Sequence, residues 1–342
     1  MKVLQVLDNL YLGGAERVFV NLCNWLDEKG VEVIPAILVG TGLDLLDEIH
    51  TRYEPVVLGR KKRWDIDAAS QLADLMKGVD LVHVHMRHNY RYVKLVQTIF
   101  NVKTKMLIHD HSSFESVPFG FKWLFKPQYY IGVSERIKNW AERNFQSQIK
   151  ESFLLENTIE VCTSLHEAPS RDLVLVSNIK PNKNQQFALE VAKARKLSLD
   201  FYGQIQNADY YQKLKNIVEG SLDGIDVRFI HDCMNIQPVL GHYRLGLHVS
   251  LRETGPLVIM EYLAQGLPFL AYYTGEVARI VSREFPKYFI NSFELDAWCA
   301  RIEQLMAEKA DSEKMMVVFE KHFGKEIYIE KCLNIYKKVL RS

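Results

Sequence analysis

Short apolar, β-branched runs alternate along this 342-residue chain with amphipathic stretches, and each run is followed by a polar or glycine-containing turn. The opening segment shows the pattern, because Lys2–Leu7 predicts a buried strand, residues 15–28 a helix and residues 31–39 the next strand. This alternation is typical of parallel βαβ units. The sequence therefore predicts an α/β fold built from doubly wound parallel sheets.

The length predicts about two domains of ordinary size. Residues 156–171 are polar and aperiodic and include Pro169, and a second series of strands and helices starts at residue 173. We therefore expect a first domain at residues 1–157, a linker at 158–171, a second domain at 172–322 and a C-terminal helix at 323–342 that packs back towards the first domain. In the second series, strands are predicted at 173–177, 198–202, 225–230, 245–250 and 268–272, and helices at 184–196, 208–219, 234–242 and 256–265.

The composition excludes several classes of protein. Lys and Arg number 43 against 42 Asp and Glu, so the chain lacks the basic footprint of a nucleic-acid binder. The apolar N-terminal run breaks at Asp8, which is too early for a secretory signal, and no apolar run reaches the length of a membrane span. Five scattered cysteines without a C-x-x-C pair predict free thiols in a reducing compartment. We expect a cytoplasmic protein.

The most informative stretch is residues 250–268, which read S-L-R-E-T-G-P-L-V-I-M-E-Y-L-A-Q-G-L-P. Pro256 suits the start of a helix, and Gly266 suits its end. Glu253 precedes the helix and Glu261 lies inside it, so the two carboxylates could bind two hydroxyl-bearing parts of one long ligand, while backbone N–H groups at the helix start face an anion. The alternative is that Glu253 caps the helix and Glu261 pairs with a surface cation.

The spacing of Glu253 and Glu261, within S-x-x-E-x-G-P-L-V-x-x-E-x-x-A-x-G-x-P, resembles the signature of the family 4 (group 1) glycosyltransferases. The resemblance implies the GT-B fold, in which two Rossmann-like domains face a cleft and C-terminal helices follow. It also implies sugar transfer from a nucleotide sugar with retention and without a metal. Glu253 would bind hydroxyls of the donor sugar, Glu261 the ribose, and backbone groups at Gly255, Pro256 and Leu257 the donor phosphate and sugar oxygens.

Two further segments extend the resemblance. Gly13 and Gly14 open a G-G-A-E-R sequence like that of the family, where a helix start would meet the donor diphosphate. The alternative is a simple strand-to-helix turn, and the absence of G-x-G-x-x-G gives a dehydrogenase no support. Residues 177–184 resemble the family segment G-R-L-x-x-x-K-G, so Lys183 would neutralise the diphosphate. Asn178 stands where the family has arginine, and Lys180 is the candidate to compensate.

His109, followed by Asp110, matches the H-D that ends a strand of the first domain in this family, and the resemblance implies that His109 reaches the donor sugar. A metal site is the alternative, because side chains at i and i+2 share one face of a strand and His83, His85, His109 and His111 form two H-x-H pairs. No Cys or carboxylate set accompanies them at ligand spacing. We therefore expect no metal and no cofactor, with His83 as a structural histidine.

Two segments that combine basic and aromatic residues bear on how the acceptor is reached. Residues 60–64 (R-K-K-R-W) and 119–126 (F-G-F-K-W-L-F-K) have the composition of an anionic membrane interface. The alternative is a solvated loop and a core helix. The hypothesis is that the first domain attaches peripherally to the inner face of the membrane while it modifies a lipid-linked sugar.

The sequence thus predicts a retaining glycosyltransferase with an acceptor-binding first domain and a donor-binding second domain. It would move a hexose or N-acetylhexosamine from a nucleotide diphosphate sugar, a UDP-sugar in the first instance, to a sugar hydroxyl of a polysaccharide or lipid-linked glycan precursor. His109, Lys183 and Glu253 are the predicted catalytic residues. A nucleotide-sugar 2-epimerase and a non-catalytic nucleotide-sugar or glycan-binding relative are the alternatives.

Overall fold

The computed structural model describes residues 1–111, 126–145, 148–162, 168–221, 224–233 and 235–342. The chain divides into two compact units, one of Met1–Ile159 together with Lys325–Ser342 and one of Glu160–Gly324. The division falls within the predicted linker at 158–171, and the C-terminal helix belongs to the first unit. The unit boundaries lie slightly later in the chain than the domain limits at 157 and 322 given by the sequence.

The first unit is a parallel sheet covered by helices on both faces. Its seven strands lie in the order β3-β2-β1-β4-β5-β6-β7, so the sequence order reverses between β1 and β4. The strands are β1 (Lys2–Leu7), β2 (Glu32–Ile37), β3 (Val56–Val57), β4 (Leu81–His85), β5 (Lys105–Asp110), β6 (Tyr129–Gly132) and β7 (Glu151–Leu154), and the helices are α1 (Gly14–Glu28), α2 (Ile66–Lys77), α3 (Arg87–Ile99), α4 (Glu135–Phe145) and the C-terminal α11 (Lys325–Arg341).

Two apolar clusters lie on the opposite faces of this sheet, which is why its central strands read as nearly continuous apolar runs. One cluster joins Val3 and Leu7 to α1 and α11, and the other joins Leu4 and Val6 to α2 and α3. The Ser134 hydroxyl oxygen accepts a hydrogen bond from the Ile137 N–H at 3.3 Å, which caps the start of α4.

The C-terminal helix α11 is a structural part of the first unit. It buries Tyr328, Ile329, Cys332, Ile335, Tyr336 and Val339 in the same cluster as α1. The neighbouring Ile327 is only half-buried, whereas Tyr328 and Ile329 are 3% and 1% exposed. The Lys105 ammonium group donates to the Val339 and Leu340 carbonyl oxygens at 3.0 Å, which fixes the end of the helix against β5.

The second unit contains a parallel sheet of six strands in the order β10-β9-β8-β11-β12-β13. The order reverses between β8 and β11, which creates a second switch point. The strands are β8 (Arg171–Val176), β9 (Leu199–Tyr202), β10 (Val227–Ile230), β11 (Tyr243–His248), β12 (Phe269–Tyr272) and β13 (Phe289–Ile290), and the helices are α5 (Gln185–Arg195), α6 (Ala208–Ser221), α7 (Leu257–Ala264), α8 (Gly275–Val281), α9 (Leu295–Ala307) and α10 (Ser312–Phe323).

One predicted helix of the second unit is wrong. The α-helix predicted at 234–242 is a short 3-10 helix at Gln237–His242. Pro238 lacks an N–H group and Gly241 is a poor helix former, so the segment cannot sustain an α-helical ladder. None of the helices in the described parts of the chain is both long enough and apolar enough to span a membrane.

Candidate active site

The loops that follow β8 and β11 meet at the carboxyl edge of the sheet in the second unit. β8 and β11 are neighbours at the point where the strand order reverses, and ligands of open α/β sheets bind outside the strand ends at such a point. The Leu251 N–H donates to the Asn182 carbonyl oxygen at 2.9 Å and ties the two loops together. The first loop contains Lys180 and Lys183, and the second contains Glu253.

The Lys183 ammonium group forms an ion pair with the Glu253 carboxylate. Lys183 ends a 3-10 turn at Pro181–Lys183, and Asn184 then takes the left-handed conformation with φ +55°, which asparagine tolerates better than most residues. The two charged side chains are only 19% and 15% exposed. The pair is therefore largely removed from bulk water. Electrostatic interactions are stronger in such a shielded site than in water.

The Glu253 carboxyl group is held in its charged form. Burial alone would raise its pKa, but His248 and the charge of Lys183 outweigh burial and lower the pKa to about 2. The His248 Nε2 atom lies 3.8 Å from the Glu253 Oε1 atom, and the His248 side chain is buried. The Glu253 N–H donates to the Thr274 hydroxyl oxygen at 3.2 Å. Glu253 therefore accepts hydrogen bonds at neutral pH and has no proton to donate.

Lys180 supplies a second cation to this site. Its side chain is half-buried, and burial together with repulsion from Lys183 lowers its pKa, while the charge of Glu253 acts in the opposite direction. Lys183 and Lys180 thus both interact electrostatically with the Glu253 carboxylate. The surplus positive charge suits a site that receives an anion.

Helix α7 presents its N-terminus beside these loops. Pro256 is the N-cap residue, with φ −68° and ψ 114°, and the helix begins at Leu257. The Glu276 N–H donates to the Thr254 carbonyl oxygen at 2.7 Å, and a Cβ on Gly275 would lie 3.1 Å from the Pro256 ring, so the loop through Gly255 is closely packed. The first-turn N–H groups of a helix favour an anion.

Glu261 lies four residues beyond the start of α7, about 6 Å along its axis at 1.5 Å per residue. Its side chain is half-buried. Gly266 closes the helix with φ +63°, and the Leu267 N–H donates to the Tyr262 carbonyl oxygen at 2.9 Å, as the sequence predicts for a glycine C-cap.

In the first unit, Gly13 is the extended N-cap residue of α1 and Gly14 is its first helical residue. A Cβ on Gly13 would lie 2.3 Å from a Glu16 carboxylate oxygen, so Glu16 folds back over the helix start. Burial, with the nearby charge of Asp8, raises the pKa of Glu16. The Glu16 carboxyl group therefore lies against the N-terminus of α1.

His109 lies inside the first unit on β5 and is fully buried. Its ring centroid is 5.2 Å from those of His83 and His85 and 4.1 Å from that of His111, which is only half-buried. The structure thus places the histidine that sequence resemblance assigns to the donor sugar among other imidazoles.

Two family models match the chain, one in each unit. The model of group 1 glycosyl transferases matches residues 163–319, and the model of glycosyltransferase family 4 matches residues 12–150. The chain is a group 1, family 4-type glycosyltransferase. Lys183, Glu253 and Glu261 lie within the first match, and Gly13 and His109 lie within the second.

Solved structures share the fold of this glycosyltransferase along its whole length. HepE from Anabaena, solved in complex with UDP, is 14% identical with a TM-score of 0.78, covering 99% of this chain and 100% of HepE. The lipopolysaccharide outer core galactosyltransferase WaaB is 12% identical with a TM-score of 0.71, covering 99% of each chain. Sucrose-phosphate synthase from Thermosynechococcus elongatus is 13% identical with a TM-score of 0.71, covering 100% of this chain and 99% of the synthase.

These similarities confirm the predicted GT-B fold and the α/β class. No curated protein matches the sequence of this glycosyltransferase at a significant level.

This glycosyltransferase departs from the family pattern at Asn178. The Asn178 side-chain oxygen accepts a hydrogen bond from the Gln204 N–H at 3.2 Å, and the Asn178 carbonyl oxygen accepts one from Gln185 at 3.0 Å. A Cβ on Gly203 would lie 2.2 Å from the Ser177 carbonyl oxygen, so the loop after β9 packs directly on the loop after β8. Asn178 therefore joins two loops and supplies no charge.

Sequence reasoning missed two residues that surround Glu253. His248 is the last residue of β11 and lies within a predicted strand. Thr274 follows β12 after Tyr272 and Tyr273, and no sequence motif marks it. The signal for His248 was a polar residue at the carboxyl end of an otherwise apolar strand, which is where site residues of parallel sheets lie.

Proposed function

We propose that this glycosyltransferase moves a hexose or N-acetylhexosamine, with retention, from a UDP-sugar to a sugar hydroxyl of a polysaccharide or lipid-linked glycan precursor. The observation that carries the proposal is the largely shielded ion pair of Lys183 and Glu253 at the switch point of the second unit. The HepE structures with UDP and glucose and with UDP-glucose support a uridine nucleotide as the donor to test first.

The arrangement of charge supports a nucleotide diphosphate as ligand. Lys183 and Lys180 are the cations for the diphosphate, and the N-terminus of α7 at Gly255, Pro256 and Leu257 adds aligned backbone dipoles. Two lysines and a helix N-terminus supply positive charge for the diphosphate, and we propose that transfer needs no divalent cation. Adding Mg²⁺ or Mn²⁺ to the enzyme should leave the rate unchanged.

Glu253 acts as a hydrogen-bond acceptor in this mechanism. Because its pKa is lowered to about 2, it binds donor hydroxyl groups and does not protonate the leaving group. Glu261 lies further along α7 and binds the ribose hydroxyls. Together they orient the donor relative to the cations, which lowers the barrier by positioning.

The diphosphate gains negative charge as the bond to the sugar lengthens, and the sugar ring gains positive charge. Lys183 is placed to stabilise the departing diphosphate, so its pairing with Glu253 must loosen when the donor binds. The departing phosphate then accepts the proton of the acceptor hydroxyl on the same face of the sugar. This route gives retention without the pair of carboxyl groups that glycosidases use.

Residues of the first unit enter the proposal through the family resemblance. Gly13 and Gly14 are assigned to the donor diphosphate, although Glu16 lies over the start of α1. His109 is assigned to the donor sugar, although its ring is fully buried. These roles stay predictions, and replacing His109 by Ala should lower kcat if its imidazole contacts the donor.

We also propose that the first unit attaches to an anionic membrane surface from the cytoplasmic side. In the segment at 60–64, Trp64 is 36% exposed and packs edge-on against Tyr92, and the Arg60 guanidinium stacks 4.3 Å from the Tyr92 ring centroid. The second segment, 119–126, lies outside the described residues except for Lys126. Binding of the enzyme to vesicles with and without phosphatidylserine tests the attachment, and equal flotation with both would contradict it.

The reaction is tested by incubating the enzyme with a panel of nucleotide sugars and glycan acceptors and measuring nucleotide release and product. Acceptor-dependent release of UDP with a glycoside product supports the proposal. Conversion of the nucleotide sugar to its epimer would favour the 2-epimerase, and tight binding without release would favour a non-catalytic relative.

Replacing Lys183 by Ala should raise KM for the donor and lower kcat, whereas Lys193→Ala, an exposed change on α5, should do neither.

A further inference from the structure

The sheet of the first unit has a switch point of its own, between β1 and β4. The loop after β1 begins at Asp8, and α3, which follows β4, carries His88 and Asn89 in its first turn. The His88 Nε2 atom lies 2.8 Å from one Asp8 carboxylate oxygen, and the Asn89 side-chain amide donates to the other at 3.1 Å. These bonds join the two segments where open α/β sheets usually bind a ligand.

Asp8 fixes the orientation of the His88 imidazole. A carboxylate accepts hydrogen bonds, so Nε2 of the neutral imidazole carries the proton and Nδ1 carries the lone pair. The His88 side chain is 55% exposed, so Nδ1 is available to accept a hydrogen bond from a ligand hydroxyl group. Asp8 also accepts from the Asn9 amide at 3.1 Å, and because a carboxylate has about four acceptor positions, one remains for a second hydroxyl group.

The turn between β4 and α3 has a strained backbone. Met86, the N-cap residue of α3, has φ +73° and ψ 144°, a region that residues with a side chain rarely occupy. Its N–H donates to the His109 carbonyl oxygen at 2.9 Å, which holds the turn in place. Strain of this kind clusters at ligand sites. Here it sets the start of α3, from which His88 reaches Asp8.

Tyr11 adds an aromatic surface to the loop after β1. A Cβ on Gly42 would lie 2.4, 2.5 and 2.6 Å from Cζ, Cε1 and Cε2 of Tyr11, and a point so nearly equidistant from these atoms lies above the ring plane. One face of the ring therefore rests on the Gly42 backbone. The Leu10 N–H donates to the Gly42 carbonyl oxygen at 2.6 Å and fixes this contact. Tyr11 is still 52% exposed, so its other face is open to a ligand.

We propose that Tyr11, Asp8 and His88 bind a neutral pyranose of the acceptor, an inference that rests on the proposed transfer to a sugar hydroxyl. The C–H groups on one side of a pyranose stack on the negative face of an aromatic ring, and its hydroxyl groups donate to carboxylate and imidazole acceptors. Tyr11 lies three residues after Asp8, at most about 10 Å along the chain. A mono- or disaccharide bridges that span.

The acceptor site lies next to the part of the first unit that is assigned to the donor. Gly13 and Gly14 follow Tyr11 in the same loop, and at most about 7 Å of chain separates Tyr11 from Gly13. A saccharide stacked on Tyr11 therefore presents its hydroxyl groups close to the donor. This role uses residues of the first unit other than His109.

The carboxyl group of Asp8 sets the charge of the acceptor. It interacts electrostatically with Glu16, whose carboxyl group lies against the N-terminus of α1. A uronic acid or a sugar phosphate would bring a further negative charge beside Asp8, and like charges at close range are unfavourable. The site therefore selects a neutral sugar.

The first test measures transfer to methyl glycosides of glucose, galactose and mannose, with glucuronic acid and glucose 6-phosphate as anionic counterparts. Wild-type enzyme should prefer the neutral sugars. Tyr11→Ala and His88→Gln should each raise KM for the acceptor about tenfold or more and change KM for the donor by less than about twofold. Tyr11→Phe keeps the ring and should raise the acceptor KM far less than Tyr11→Ala. His50→Gln, an exposed histidine outside the site, is the matched control.

Saturation-transfer nuclear magnetic resonance with the same methyl glycosides detects binding without turnover, so failure of this site is distinguished from failure of the proposed transfer. Signals from sugar ring protons that are present with wild type and lost with Tyr11→Ala support the site whether or not transfer is seen. No signal with wild type, equal signals or equal acceptor KM for wild type and Tyr11→Ala, or a preference for the anionic sugars would overturn the proposal.

Discussion

At the scale of single residues, the function depends on the charge state of Glu253. Its pKa is lowered from 4.5 to about 2, so its ionised form stabilises the folded protein above the unfolded pKa, and that stabilisation is lost as the pH falls through the folded pKa. The stability difference between wild type and Glu253→Gln should therefore shrink between about pH 5 and pH 2. Urea unfolding of both proteins across that range measures it, and a constant difference would show that the carboxylate is not held ionised.

Gly203 makes the close packing of two site loops testable. Its φ is +147°, and a Cβ would lie 2.2 Å from the Ser177 carbonyl oxygen, so Gly203→Ala should destabilise the protein by at least about 2 kcal/mol. Gly220→Ala is the matched control, because a Cβ there meets nothing within 4 Å and alanine favours the helix by about 0.5–1 kcal/mol. Chemical unfolding of the two variants distinguishes them, and equal stability would mean that the loops do not pack this closely.

The sequence predicted the chemistry of Lys183 and Glu253 but not their contact. The two residues are 70 positions apart, and family resemblance assigned each to a different part of the donor. Folding brings them together because β8 and β11 are neighbours in the sheet, a pairing that depends on strand order and not on any local pattern. The same holds for His248 and Thr274, which reach Glu253 from separate strands.

At the scale of elements, the C-terminal helix α11 is part of the core of the first unit. Ile329 is 1% exposed in the cluster that joins α11 to α1, so Ile329→Ala should destabilise the protein by about 2–5 kcal/mol. Glu330→Ala, an exposed change on the same helix, should alter stability by less than about 0.5 kcal/mol. Thermal unfolding of both variants measures the difference, and similar melting temperatures would mean that α11 is dispensable.

Helices and strands were predictable where their apolar pattern was long and regular. The buried parallel strands, such as β1 and β2, are mostly apolar runs, and α11 repeats its apolar residues at helical spacing. The segment at 234–242 has apolar residues too, but Pro238 and Gly241 reduce it to a 3-10 turn. β13 has only two residues, Phe289 and Ile290, and exists because it pairs with β12, which no local pattern reveals.

At the scale of the whole molecule, the chain is nearly neutral, and the positive charges proposed to bind the donor lie at one site. The net charge is +1, yet Lys180 and Lys183 lie together at the switch point of the second unit. Donor binding should therefore depend on these lysines more than on the overall field of the protein. The KM for the donor should change little between low and moderate salt in wild type, and a steep salt dependence would indicate a broader electrostatic contribution.

The most direct test of the central claim is the rate of sugar transfer by Glu253→Ala compared with wild type and with Glu313→Ala, an exposed glutamate on α10. If Glu253 positions the donor sugar beside Lys183, its loss should lower kcat/KM by about 100-fold or more, while Glu313→Ala should transfer at the wild-type rate. Nuclear magnetic resonance of the first product formed should show the anomeric configuration of the donor. Unchanged turnover by Glu253→Ala, or an inverted product, would contradict the account.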